Sequence, residues 1–377
     1  MAITINSIPE SFGSFHDDMW VVATSTNATT TNMKYVFDIR INSVLVARLR
    51  VFPDPTTNKG IVNIGNIIRN YWSSYFQPST TRQLFNYNGN GNIVSYTVQI
   101  GEDLNGTITT NLQQFASTAW NFAPPAFRDW AGAYYVNKLD DWLTNRDRNN
   151  LTVYGDEKVF ISYAPSTIGD ASLAVSVNNG SSTMTGAGVL LFGLQMFDVS
   201  PAGVNQYLGT TFITPSTQSY TLTISSDTIR VTRVCSQYTP YSLHFLNELG
   251  GFDTFQFRLV NRQSRQFERK KYEQIGWALS GNDMTRSDAY KKVRGGNIQF
   301  STKQMVKYTL TSDYVNETDY NWLRELLSSP EVYYERDGYY YPVTITDAAW
   351  TEKKRINDKL FNLTVNIDIS TVNSQYR

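Results

Sequence analysis

The chain has 377 residues, enough for about two or three domains, and its 33 basic and 33 acidic side chains leave it without net charge. Neutrality gives no support to global attraction toward nucleic acid or membrane surfaces. A single cysteine and two histidines exclude a disulfide scaffold and offer little to a metal site, so we predict no metal and no cofactor.

Residues 1–150 have the pattern of a β-rich N-terminal domain with short helices. Apolar and polar residues alternate over 34–41 and again over 45–51, on either side of Asn42-Ser43, which predicts a hairpin. Helical spacing of apolar residues over 64–75 predicts a short helix. Residues 115–150 mix tryptophans with charges, and this mixture predicts an irregular or partly helical connector.

Residues 151–240 are rich in Ser, Thr and Gly and contain short alternating runs, which is typical of a β-sandwich-like domain. The clearest of these runs lie on either side of Ser225-Ser226-Asp227 and predict a second hairpin. The N-terminus lacks a basic segment followed by an apolar core, so we expect no signal peptide. The longest apolar run, 188–197, is too short to span a bilayer, so we expect no membrane partner.

Residues 241–377 predict an α+β C-terminal domain. A strand at 306–310 precedes a helix that Asn316 caps and Pro330 ends, and an Asp337-Gly338 turn then joins two tyrosine-rich strands. An unbroken alternation over 361–369 predicts the last strand. The whole chain is therefore predicted to be mainly β with an α+β C-terminal part and β-sandwich-like N-terminal and middle domains.

The sequence contains no convincing catalytic constellation, and we predict that the protein is not an enzyme. Ser242 and His244 share one face of an extended segment, but no third group orients them, so a partly buried or interfacial histidine is the simpler interpretation. The acidic doublets Asp17-Asp18, Asp140-Asp141 and Asp156-Glu157 point to different faces and form no ready glycosidase pair.

A basic segment at 258–294 holds ten basic residues against four acidic ones. Two interpretations remain open: a solvated extended arm or loop, or a surface that contacts an acidic neighbouring subunit or nucleic-acid phosphates. Tyr272 and Trp277 favour a contact, since aromatic residues and arginine are enriched at interface cores. The candidate residues are Arg258, Arg262, Arg265, Arg269, Lys270, Lys271, Arg286, Lys291, Lys292 and Arg294.

A glycine pair interrupts an aromatic stretch at 243–257, between the middle domain and the basic segment. Glycine permits a sharp or left-handed turn, and the flanking apolar side chains can pack on both sides of it. We interpret this stretch as a packed domain joint formed by Asn247, Gly250, Gly251, Phe252 and Phe255.

The segments 246–255, 327–333 and 341–345, together with the basic segment and the closing strand-helix-hairpin-strand order, resemble virion proteins of tailed phages. The resemblance is to tail or neck ring proteins of Bacteroidetes-infecting phages, including the crAss-like group, and covers roughly residues 240–377. It implies a non-enzymatic structural component that forms a homo-oligomeric ring in the virion after synthesis in the host bacterial cytoplasm.

The partners that this resemblance implies are other copies of the chain and other virion proteins, with DNA in a central channel as a further candidate. Strand 361–369 is a candidate for pairing between subunits, or else an ordinary sheet strand. The alternative function is a carbohydrate-binding or receptor-binding tail module that uses exposed faces of Trp72, Trp120, Trp130 and Trp142.

Overall fold

The computed structural model describes residues 3–11, 13–72, 76, 78, 84–87, 93–120, 141–164, 171–186, 189–191, 195–224, 226–235, 237–273, 277–286, 297–347, 361–369 and 373–376. In this part of the chain strands far outnumber helices, which confirms the predicted fold class.

The chain forms two compact units whose sequences are interlaced. Unit 1 comprises Met1–Cys235 and Phe245–Phe255, and unit 2 comprises Ser236–His244 and Gln256–Arg377. The short segment Phe245–Phe255 therefore returns the chain to unit 1 before it finally continues into unit 2.

The first part of unit 1 is built from two antiparallel-rich sheets around one apolar core, which includes Val21, Phe37 and Val98. One sheet contains β1 (Ile3–Ser7), β3 (Trp20–Ser25) and β6 (Gly60–Asn63) in that order. The other contains β2 (Gly13–Ser14), β9 (Thr107–Trp120), β8 (Ile93–Leu104), β4 (Lys34–Ile41) and β5 (Val44–Val51), and helix α1 (Gly65–Asn70) follows β6.

A second core in unit 1 includes Trp142, Phe197 and Leu222. One of its sheets has the order β10 (Asp141–Leu143), β12 (Phe160–Ala164), β17 (Gln195–Asp198) and β7 (Phe85–Tyr87). The other has the order β11 (Leu151–Tyr154), β19 (Asp227–Val234), β18 (Ser219–Ile224), β14 (Val175–Asn178) and β15 (Thr183–Thr185). The remaining elements are the pair β13 (Ala171–Leu173) and β16 (Val189–Leu191), and helix α2 (Pro201–Leu208).

Unit 2 is organised around one sheet. Across it the strands are β20 (Tyr241–Leu246), β26 (Val332–Arg336), β27 (Tyr339–Ile345), β28 (Thr364–Ile369), β25 (Asn297–Thr311) and β22 (Arg262–Glu273). Strand β21 (Phe252–Phe257) forms a hairpin with β20, and β29 (Asn373–Tyr376) also pairs with β25. The other elements are β23 (Trp277–Ser280), β24 (Asp283–Arg286), α3 (Glu317–Trp322) and α4 (Arg324–Ser328).

The local predictions with a clear turn or cap are confirmed. Asn42 and Ser43 have φ values of 48° and 66°, and Asp337 and Gly338 have values of 55° and 78°, so both hairpins turn through left-handed residues. The Asn316 side chain accepts a hydrogen bond from the Asp319 amide at 2.7 Å, as expected of the residue that caps α3.

One prediction is wrong, and one of two open alternatives is now decided. Residues 115–120 continue strand β9 and residues 141–143 form β10, so these two parts of the predicted connector are regular strands, while 121–140 lie outside the described residues. Strand β28 pairs with β25 on one side and β27 on the other. It is therefore an ordinary sheet strand, with Thr364–Asp368 paired to β25 and Ile367–Ile369 paired to β27.

Buried tyrosines make unit 1 sensitive to alkali. Burial raises the pKa of Tyr96 to about 12 and that of Tyr220 well above its usual range. Above about pH 10 the unfolded chain loses these protons while the folded chain keeps them, so the free energy of unfolding falls as pH rises toward 12. For Tyr96 alone the loss is on the order of 2 kcal/mol.

Urea unfolding at a series of alkaline pH values measures how steeply the free energy of unfolding falls with pH. We expect this slope to be smaller in Tyr96→Phe. An unchanged slope in Tyr96→Phe would contradict the assignment to this side chain.

Candidate interaction surfaces

The basic segment forms an arm, defined here as β22, β23, β24 and the outer part of β25, residues 297–307. Strand β22 has polar or charged residues at all but two positions, and its two aromatic residues, Phe267 and Tyr272, lie on opposite faces. Neither face therefore has the apolar stripe that would bury it, and all twelve of its residues are exposed. It pairs with β25 in an antiparallel register that carries a bulge at Lys270/Lys271. Among the described residues, β22 has no strand on its other edge.

Alternation along β22 divides its cations between two faces. Arg265, Arg269 and Lys271 share one face with Phe267, and the Arg269 guanidinium lies 5.6 Å from the centroid of the Phe267 ring. Arg262 and Lys270 lie on the opposite face. The first face therefore combines positive charge with an exposed aromatic ring, which is the chemistry of a contact surface.

The remaining predicted cations are distributed differently. Arg258 is mostly buried at the base of the arm, where its guanidinium lies 3.2 Å from the Asp313 carboxylate and burial lowers its pKa. This ion pair within unit 2 makes Arg258 a poor interface candidate. The backbone of Arg286 ends β24, and Lys291, Lys292 and Arg294 lie outside the described residues.

The tip of the arm is a hairpin with a one-sided apolar face. Leu279 stands directly opposite Met284, and Trp277 lies two residues before Leu279, so the three side chains share one face. Their exposed fractions are 72%, 56% and 54% for Leu279, Met284 and Trp277. Trp277 was predicted from the sequence but Leu279 and Met284 were not, although the spacing 277/279 and the Gly281-Asn282 turn indicate a hairpin with a shared face.

The predicted joint is the turn of the β20–β21 hairpin, and Asn247 organises it. The Asn247 Oδ1 atom accepts hydrogen bonds from the amides of Leu249 at 3.0 Å and Gly251 at 2.9 Å. Its Nδ2 atom donates to the Leu143 carbonyl at 2.7 Å. One buried amide thus closes the turn and fastens it to β10 of unit 1.

The rest of the joint packs against β12. The Phe252 amide donates to Ser162 Oγ at 2.8 Å, and the Phe252 ring lies 4.8 Å from that of Phe76. Gly250 has a φ of 80°, a backbone conformation that favours glycine. At Gly251 a Cβ atom would lie 2.6 Å from Ser162 Cβ, so this position has no space for a side chain. Phe255 is buried as well.

Two further bonds continue this attachment along β21. Thr144 Oγ1 donates to Asp253 Oδ2 at 2.8 Å, and the Phe160 amide donates to Thr254 Oγ1 at 2.8 Å. The segment Phe245–Phe255 is accordingly an integral, hydrogen-bonded part of unit 1.

The histidine and the carboxylates weighed as catalytic candidates form contacts within the fold. His244 is fully buried in unit 2, with Nε2 3.2 Å from Glu335 Oε2 and its ring 5.5 Å from that of Tyr340. Asp141 forms an ion pair with Arg148, and Asp18 accepts a hydrogen bond from Asn63. Within the described ranges, no group of three His, Cys, Asp or Glu side chains is arranged to hold a metal ion.

Two of the four tryptophans considered for glycan binding are core residues, contrary to expectation. Trp120 and Trp142 are buried, and Trp142 packs edge-on against Tyr163 at 5.3 Å and Phe197 at 5.0 Å. Its neighbour Asp141 is half-buried, and Leu143 on the other side is buried as well. Trp72 is half-buried against Phe15, and Trp130 lies outside the described residues.

Comparison with known proteins does not assign the chain to a family. No family model matches the chain, and no curated protein matches it. Among solved structures it is similar to the FN1-FN3 domains of chicken CNTN1, at 10% identity over 82% of this chain and 92% of that chain, with a TM-score of 0.20. A likeness this weak carries no argument about function. No helix in the described part of the chain has the length and apolar character needed to cross a membrane.

Proposed function

We propose that the protein is a non-enzymatic structural component of a tailed-phage virion, a tail or neck ring subunit that contacts its neighbours through the arm. The observation that carries the proposal is the arm itself, a ribbon exposed on both faces of β22 that joins cations to exposed aromatic and aliphatic side chains.

An exposed ribbon of this kind has a physical reason to seek a partner. A pair of strands without an apolar core is only marginally stable in water, and the apolar face of the tip gains free energy when it is covered. Trp, Phe, Tyr, Met and Arg are the residues enriched in interface cores, and all of them occur in the arm. Assembly from repeated copies satisfies this requirement.

The phage assignment rests on the resemblance in residues 240–377, and the arm supports its assembly aspect. The alternative, a carbohydrate-binding tail module, loses two of its candidate residues because Trp120 and Trp142 are buried. Among the described residues, nothing else favours carbohydrate binding over assembly.

The triple variant Arg265→Glu, Arg269→Glu, Lys271→Glu tests the proposal, because it reverses three charges on one face of β22. We expect the purified variant to fold but to assemble poorly, with its oligomer fraction measured by mass photometry across concentration and salt. A control variant reverses two exposed cations outside the arm and outside β3 and β6, Arg230 and Arg324, and should assemble like the wild type.

Other results would lead to other conclusions. Normal assembly of the arm variant, or a wild-type chain that stays monomeric at every concentration, contradicts the proposal. Normal assembly together with lost binding of duplex DNA would assign the arm to a nucleic-acid channel.

A further inference from the structure

Unit 1 has an exposed apolar surface on the outer face of β3 and β6. Trp20 stands opposite Asn63 and Val22 opposite Ile61, so these four side chains share one face. Trp20 is 48% exposed and Ile61 41% exposed. The alternate residues of the same strands enter the core, so the outward placement of Trp20 and Ile61 is fixed by the register.

An acidic side chain borders this surface. Asp17 and Asp18 lie three and two residues before Trp20, and Asn63 Nδ2 donates to Asp18 Oδ1 at 2.7 Å. Because Asn63 is the residue opposite Trp20, this bond holds the Asp18 carboxylate beside the tryptophan. We call Asp17, Asp18, Trp20, Val22 and Ile61 the acidic face.

Charge distinguishes the acidic face from another exposed apolar site of unit 1. Val44 and Leu45 are exposed at the end of the β4–β5 hairpin, but Arg40 lies opposite Leu45. That site would repel a basic arm, whereas Asp17 and Asp18 would attract it.

The charge balance of the whole chain favours a second copy as the partner. The arm as defined above holds eight basic and three acidic residues, while the chain as a whole has 33 of each, so the remainder carries five more acidic than basic residues. Every copy therefore presents an acidic body to the basic arm of another copy.

We propose that the arm tip of one copy docks on the acidic face of a second copy, and this rests on the proposed function of the arm as an assembly contact. Trp277, Leu279 and Met284 would cover Trp20, Val22 and Ile61, while the cations of β22 approach Asp17 and Asp18. Two different surfaces meet in this contact, so it is head-to-tail, and repetition gives a ring when the rotation closes and a filament when it does not.

Two double variants test the pairing. Trp277→Ser, Leu279→Ser removes the tip, and Trp20→Ser, Ile61→Ser removes the acidic face; all four side chains are at least 41% exposed, so folding should be retained. Each variant alone should need about tenfold or more higher concentration to assemble, as measured by mass photometry. Mixed in equal amounts, they should form dimers and nothing larger, because one intact contact remains per pair.

A charge swap and a control complete the experiment. A single chain that combines Arg265→Glu, Arg269→Glu, Lys271→Glu with Asp17→Lys, Asp18→Lys should recover assembly that each set alone reduces. The control Val44→Ser, Leu45→Ser removes the other exposed apolar site and should assemble like the wild type. Circular dichroism and melting curves check that every variant is folded.

The outcomes separate this proposal from the function on which it rests. If the tip variant assembles normally, the arm contact and the docking both fail. If the tip variant fails to assemble but the Trp20→Ser, Ile61→Ser variant assembles normally, the arm remains an assembly contact and the acidic face is the wrong partner surface. A mixture that stays monomeric also overturns the docking.

Discussion

Asn247→Ala is expected to lower the free energy of unfolding of unit 1 by about 3 kcal/mol. The side chain is buried and makes three hydrogen bonds, to the amides of Leu249 and Gly251 and to the carbonyl of Leu143. Alanine leaves all three backbone groups without this partner in a site that excludes water, and each such group costs roughly 1–3 kcal/mol before relaxation.

The chain provides a matched control for this variant in Asn179. Its Oδ1 atom also accepts two backbone amides, those of Ser181 and Ser182, both at 3.0 Å, but in a turn exposed to solvent. Water can replace the lost acceptor there, so Asn179→Ala should cost less than about 1 kcal/mol. Urea unfolding followed by the fluorescence of buried tryptophan compares the two variants. Equal losses would show that Asn247 does not organise the joint.

Gly251→Ala is expected to destabilise unit 1 by about 1–3 kcal/mol through overpacking. Its new Cβ atom would lie 2.6 Å from Ser162 Cβ, 3.0 Å from Ser162 Oγ and 3.2 Å from Leu143 Cβ. Ser162 cannot turn away without cost, because its Oγ atom is buried and accepts the Phe252 amide.

A double-mutant cycle with Ser162→Gly tests this steric explanation. Ser162→Gly alone should destabilise unit 1 because the Phe252 amide loses its acceptor, yet it also removes the atom that Gly251→Ala would strike. The two losses should therefore sum to more than the loss in the double variant, by about 1 kcal/mol. Additive losses would indicate that Gly251 is required for another reason than the space beside Ser162.

The sequence predicts local structure well where one strand or turn contains the whole signal. Alternation with a buried face located the hairpins β4–β5 and β26–β27, and Asn316 identified the start of α3. Alternation does not show which strands become neighbours, however. For this reason the sequence left open whether β28 lies at an edge of the sheet, and the structure shows strands on both sides of it.

The surfaces were harder to predict than the strands. Tryptophans beside acidic residues suggested exposed rings, but Trp142 lies in the core against Tyr163 and Phe197. The basic segment was recognised from its charge alone. Because β22 has no apolar stripe, the sequence does not indicate which side chains share a face. The acidic face was missed because Trp20 and Ile61 are forty-one positions apart and meet only through the β3–β6 register.

The return of the chain to unit 1 also has a consequence for biosynthesis. A ribosome releases residues 1–235 first, yet Leu143, Thr144, Phe160 and Ser162 each lack one hydrogen-bond partner until 247–254 emerge. Unit 1 therefore cannot complete its hydrogen bonding until the opening strand of unit 2 has already been translated. Nascent unit 1 stays unfinished through that interval, and a fragment that ends at Cys235 would remain in this incomplete state permanently.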